Sequence, residues 1–110
     1  PDGDALKNKK CLNVITTGGS RELYCSEGNN HYSVNEFLRP FEQTARLCGM
    51  EYLPTFAVMG THRITQPELQ KHAEQYDQLI SCLQTDAGFG ALPDCNFLND
   101  APFLNKKNPL

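Results

Sequence analysis

The sequence has no tryptophan and no dense lysine and arginine stripe. It also lacks a hydrophobic run near the roughly 18 residues that cross a bilayer. The missing run argues against a helical membrane span. The missing stripe argues against nucleic-acid binding, because tracking a phosphate backbone needs a continuous positive surface. Lys7-Asn8-Lys9-Lys10 is a short basic cluster ahead of an apolar segment and reads as the solvated edge of a sheet. The formal charge is -3, mildly acidic. The polar opening Pro1-Asp2-Gly3-Asp4 has no signal-peptide pattern. Cysteine is present but unpatterned: Cys11, Cys25, Cys48, Cys82 and Cys95 are odd in number and show no C-x-x-C spacing. Several sit where small buried apolar residues belong. That favours reduced thiols in a cytoplasm over a disulfide framework or a metal site.

What remains is ordinary for one globular domain: 110 residues, 39% hydrophobic and 21% charged. Cys11 to Ile15 is a short apolar, partly β-branched run that ends in Thr16-Thr17-Gly18-Gly19, the pattern of a buried strand and its exit loop. Residues 20–32 have no period and read as an ordered surface loop. Ser33 and Glu36 form a capping box, and Val34, Phe37, Leu38, Phe41, Ala45 and Cys48 trace a helical face that ends at Gly49. Pro40 predicts a kink or a helix in two pieces. A second apolar run, Tyr52 to Met59, has its paired part confined by Pro54 to about Thr55–Met59, and Gly60-Thr61-His62-Arg63 follows. Thr65 and Glu68 form another capping box, with Pro67 in the first turn. Leu69, Ala73, Tyr76, Ile80 and Leu83 then make an apolar face ending near Gln84. Residues 85–110 are aperiodic, and their scattered Phe89, Leu92, Phe97, Leu98, Phe103 and Leu104 predict an extended tail pinned to the surface.

Strand, helix, strand and helix in alternation imply an α/β fold with a parallel sheet. Such a sheet is covered on both faces, and two strands of about five residues do not stabilise one alone. The elements read as half of a sheet, either a fragment or a chain that pairs with another, such as a copy of itself. Ligands of doubly wound sheets bind at the carboxyl ends of the strands. Two loops lie there, Thr16–Gly19 and Gly60–Arg63. A Gly-Gly pair lets backbone N–H groups approach a flat or anionic ligand, although on its own it is more often a plain turn.

Ile15-Thr16-Thr17-Gly18-Gly19, Tyr24 five residues on and then Gly28 resemble the flavodoxin-like NAD(P)H:quinone oxidoreductases of the DT-diaphorase type. Leu38-Arg39-Pro40, Thr44-Ala45, Cys48-Gly49-Met50, Tyr52-Leu53-Pro54 and Gly60-Thr61-His62-Arg63 resemble their bacterial branch, which includes the ancillary oxidoreductases of glutathione-gated potassium-efflux systems. The likeness runs from about Lys9 to Leu83. It implies that residues 1–84 are the C-terminal half of a flavodoxin-like doubly wound parallel sheet, that 85–110 form the tail, and that the sequence begins in mid-domain.

The resemblance places Thr16, Thr17, Gly18 and Gly19 against the isoalloxazine ring of FMN or FAD. Tyr24 becomes the residue that hydrogen-bonds near the flavin during hydride transfer, and either Asn30 or His31 its helper. The implied chemistry is two-electron transfer from NAD(P)H to a quinone-like acceptor. The phosphate cradle and the ring-stacking segment of the family lie outside this sequence, so the chain alone is expected to bind flavin poorly. Implied partners are a second copy, as homodimer, or an N-terminal half. Two alternatives to the catalytic reading stand: a regulatory subunit on a potassium-efflux transporter, cytoplasmic or peripheral at the inner membrane through that partner, and an inactive fragment. Each residue also has a plainer reading: Tyr24 as a buried loop ring, His31 and His62 as solvated histidines, His72 as an inert helix residue and Cys25 as a thiol without a flanking base.

Overall fold

A computed structural model describes residues 3–85 and 95–104. The four strands are β1 (Lys10–Cys11), β2 (Val14–Thr16), β3 (Glu51–Tyr52) and β4 (Phe56–Val58). β1 pairs with β3 and β2 with β4, both in parallel. Between the two ladders the register slips by one: Leu12 and Asn13 on one side face Leu53, Pro54 and Thr55 on the other. The extra residue makes this a bulge, and Pro54, with no N–H to give, sits within it. The sequence predicted pairing only after Pro54. The structure pairs Glu51 and Tyr52 ahead of it as well, because the bulge absorbs the missing donor.

Ser33 and Glu36 close the reciprocal capping box at 3.1 Å in each direction. The expected break near Pro40 is real: α1 (Val34–Phe37) stops, and α2 (Arg39–Leu47) starts with Pro40 in its first turn, where no N–H is required. α2 ends in a Schellman motif. Gly49 N–H reaches Arg46 O at 3.0 Å, Met50 N–H reaches Ala45 O at 2.9 Å, and Gly49 takes a φ of 72°. α3 (Gln66–Leu83) is capped by the Thr65 hydroxyl, which accepts from Glu68 N–H at 3.3 Å; the Thr65 half of the second capping box is the half that forms.

The predicted helix faces meet the core only in part. On α1 and α2 only Val34 and Ala45 are buried, while Phe37 and Phe41 are 52% and 58% exposed. On α3, the Tyr76 ring packs on Phe56 with centroids 5.8 Å apart and Leu83 touches the core, but Leu69 is 44% exposed and the fully buried line runs through Gln75 and Leu79. The reason lies after α3. The core is Leu53, Phe56, Leu79, Leu98, Ala101 and Leu104, so half of it comes from the segment 95–104, which draws the Gln75–Leu79 side of α3 inward. That segment was predicted to be a tail pinned to the surface by its scattered apolar residues. Leu98 and Leu104 are buried in two short 3-10 turns, and Ala101 is buried between them; Phe89 and Leu92 lie outside the described residues.

The same segment finishes the β4 edge. Leu98 N–H donates to Thr55 O at 2.8 Å. The Asn99 side chain accepts from Ala57 N–H at 2.9 Å and donates to Ala57 O at 2.8 Å, replacing a neighbouring strand with one amide. Among the described residues, β2 has no such cover on its far side. The β4 partner takes Asn13 O and Thr17 N–H, so by the alternation of a parallel ladder Val14 and Thr16 face outward, and Val14 is 47% exposed. Cys25 is exposed, and Cys11, Cys48, Cys82 and Cys95 are half-buried.

Candidate functional site

Parallel pairing of β2 with β4 sets their exit loops side by side, and the two loops are laced together. Gly60 N–H donates to Gly19 O at 2.9 Å, and Thr61 donates to Thr17 O from both its N–H and its hydroxyl at 3.1 Å. His62 N–H approaches Gly18 O at 3.5 Å. Thr17 Oγ1 donates across the turn to Gly19 O at 2.9 Å. The carbonyls of Thr17, Gly18 and Gly19 are thus all engaged by protein donors. Among the described residues, the N–H groups of Gly18 and Gly19 find no acceptor. The loop therefore offers donors and withholds acceptors, the polarity that suits the carbonyl and ring-nitrogen edge of a planar heterocycle.

Gly18 makes room for a neighbouring ring. A Cβ there would run into the His62 imidazole, which lies against the glycine. The sequence treated His62 as a solvated loop residue. Its ring is exposed but seated on Gly18, and the signal was available: a parallel register puts residues 60–62 beside 17–19.

Tyr24 follows a short 3-10 turn, Arg21–Leu23, and its N–H is held by Arg21 O at 3.1 Å. Its ring meets Phe37 edge-on, with centroids 6.3 Å apart. The chain then doubles back, and Asn30 N–H donates to Leu23 O at 3.0 Å. The result is an open apolar depression of about 290 Å³ lined by Thr17, Tyr24 and Asn30 with Ile15, Val34, Phe37 and Leu38. Thr17, Tyr24 and Asn30 are brought together. Thr16, at the end of β2, and Gly18 and Gly19 lie in the adjoining loop, outside that lining. His31 takes a left-handed backbone with φ 63°, is exposed and is not part of the depression. Cys25 donates to Glu22 O at 3.2 Å and lies on the opposite side of Tyr24. The Ser20 hydroxyl holds the Glu22 carboxyl below its ordinary value, helped by its own backbone N–H and by Arg21. Among the described residues no group of three His, Cys, Asp or Glu side chains is placed to hold a metal, and no helix is long and apolar enough to cross a membrane.

The family model for the flavodoxin-like fold matches residues 1–80. The chain belongs to the flavodoxin-like family. Its curated relatives include general stress protein 14 of Bacillus subtilis, 34% identical over 72% of this chain and 45% of that protein. The glutathione-regulated potassium-efflux system ancillary protein KefG of Pectobacterium atrosepticum is 37% identical over 72% of this chain and 43% of its own length. An NAD(P)H oxidoreductase of B. subtilis, YdeQ, is 32% identical over 76% and 43%. Among solved structures, an NADPH-quinone reductase from P. pentosaceus superposes with a TM-score of 0.63 at 28% identity, covering 67% of this chain and 44% of that one. A thermophilic tryptophan halogenase enzyme from Streptomycin violaceusniger superposes at 0.69 with 32% identity, covering 73% and 46%. The flavodoxin-like chain described here spans a little under half the length of the relatives it matches.

Proposed function

We propose that this chain supplies one wall of a flavin site in an NAD(P)H oxidoreductase that passes two electrons to a quinone-like acceptor. The observation that carries the reading is the pair of N–H groups on Gly18 and Gly19, left without acceptors beside a depression lined by Thr17, Tyr24 and Asn30. A bound flavin, FMN or FAD, would supply two-electron acceptance from NAD(P)H and donation to the acceptor. The chain's own residues have narrower tasks. Thr16 and Thr17 border the ring, and Gly18 and Gly19 donate N–H bonds to its edge. The Tyr24 hydroxyl, with the Asn30 amide, donates toward the edge where negative charge collects, stabilising that charge without reorganisation. Asn30 is preferred to His31 as the helper because it lines the depression.

The rest of the cradle comes from outside the described chain, from an N-terminal half or a second copy. The outward-facing edge of β2 and the exposed Phe41, Leu69 and Tyr76 are surfaces that further strands and helices would cover. The protein would work in the cytoplasm. The names of its KefG relatives favour a second reading, attachment to a potassium-efflux transporter at the inner membrane, with contact rather than turnover as the function.

The test is NAD(P)H oxidation with a quinone by the intact gene product. Tyr24→Phe is expected to lower kcat by about 10²-fold or more while flavin stays bound, the cost of losing one aligned donor. Asn30→Ala should fall in the same direction and His31→Ala should not. Full flavin occupancy with no NAD(P)H oxidation would move the assignment to the transporter-bound role.

A further inference from the structure

Tyr24 has two sides. One faces the depression described above. The other borders a larger cavity, about 400 Å³, whose walls include Arg21, Cys25, Met59, Asn96 and Phe97. Asn96 and Phe97 belong to the segment after α3, beyond the stretch that matches the family model. The cavity is therefore built jointly by the family loop and by a part of this chain outside that match.

Its chemistry is lopsided. Phe97, Tyr24, Met59 and Val34 give rings and apolar surface. Among the described residues that line it, Arg21 alone is charged. Three of the neutral polar residues are already engaged. Ser33 accepts from Glu36 N–H, the Asn35 amide donates to Asn96 O at 3.1 Å, and the Cys25 thiol donates to Glu22 O. These bonds hold the walls apart rather than filling the space between them. The Arg21 guanidinium is stacked 4.7 Å from the Phe97 centroid and uses one terminal nitrogen on Asp100 at 3.2 Å. Both partners of that ion pair are about half exposed, a setting in which such pairs are weak. The fork of the guanidinium keeps further donors, and a planar carboxylate is the group it binds best in two-point fashion.

We propose that this cavity is a second ligand site, for a small planar aromatic carboxylate whose ring lies among Phe97, Tyr24 and Met59 and whose anion pairs with Arg21. The volume falls within the range of pockets that take ring-sized ligands. The proposed ligand makes no contact with flavin, so the site stands or falls separately from the proposed activity.

The test is a titration of the isotope-labelled intact gene product with naphthoate, followed by amide and methyl shifts, beside the same titration with the neutral naphthamide. Saturable shifts centred on Arg21, Cys25, Met59 and Phe97, with the amide bound at least about tenfold more weakly, are expected. Arg21→Gln should reduce naphthoate binding to the level of the amide, and Lys9→Gln, the same charge change just ahead of β1 and outside the cavity lining, should leave it as it is. Equal binding of naphthoate and naphthamide, shifts centred elsewhere, or no saturation would overturn the proposal. Should Arg21→Gln fail to fold, the acid–amide comparison on the unaltered chain decides alone.

Discussion

At the residue scale, the site depends on side chains that are absent as much as on those present. Gly18 gives up its side chain so that the His62 ring can lie against the backbone. Gly18→Ala sets the new methyl against that exposed ring, and the cost is that of displacing it from the glycine. His62→Ala removes the obstacle. The double variant is therefore expected to recover most of the melting temperature lost by Gly18→Ala, in a thermal unfolding experiment on all three variants. Recovery would establish the contact; equal loss in single and double variants would place the cost elsewhere in the loop. Tyr24 and Asn30 are six residues apart, and they meet because Asn30 N–H returns to Leu23 O. No periodicity marks that turn, which is why the sequence left Asn30 and His31 as equal candidates.

At the scale of elements, the local signals were readable and the long-range ones were not. Ser33 with Glu36, the break before Pro40 and the stop at Gly49 are each made by residues within a few positions, and each was legible in the sequence. The faces of the helices were not, because what a helix buries depends on what arrives to cover it. Leu98, Ala101 and Leu104 arrive from a segment with no period and reorient the burial of α3 toward Gln75 and Leu79. Leu98→Ala should cost about 2–5 kcal/mol in chemical denaturation, the range for a fully buried leucine. Asn99→Ala should cost about 1–3 kcal/mol by leaving the Ala57 N–H and C=O unpaired. Both losses are large for a chain tied down by so few strands.

α1 carries a pH dependence of its own. Ser33 holds the Glu36 carboxyl below its ordinary value, first through its backbone N–H and then through its hydroxyl. A carboxyl whose folded value is lowered stabilises the fold above the unfolded value, and that contribution disappears as pH falls through the folded one. The cap should therefore be intact at neutral pH and weaken on acidification below the ordinary glutamate range. Glu36→Gln should flatten that part of the stability profile, read by denaturant midpoints across the acid range.

At the scale of the molecule, the described residues finish one edge of the sheet and not the other. Asn99 and Leu98 close β4, while Val14 and Thr16 on β2 turn outward. The parallel sheet, its alternation with helices and the position of two exit loops at its carboxyl edge were all legible from the order of the elements, and family membership bears out the α/β flavodoxin-like reading. The site's chemistry was legible only in part. Thr16-Thr17-Gly18-Gly19 was visible as a motif, but the polarity of the loop, with carbonyls consumed by residues 60–62 and N–H groups left open, arises from contacts more than forty positions apart.

That polarity is the central claim, and flavin retention tests it most directly. The intact gene product, passed through gel filtration, should keep the visible absorbance of a bound flavin at one per chain, and the 110-residue chain alone should lose it. An intact product that elutes without flavin and takes up neither added FMN nor added FAD would contradict the account.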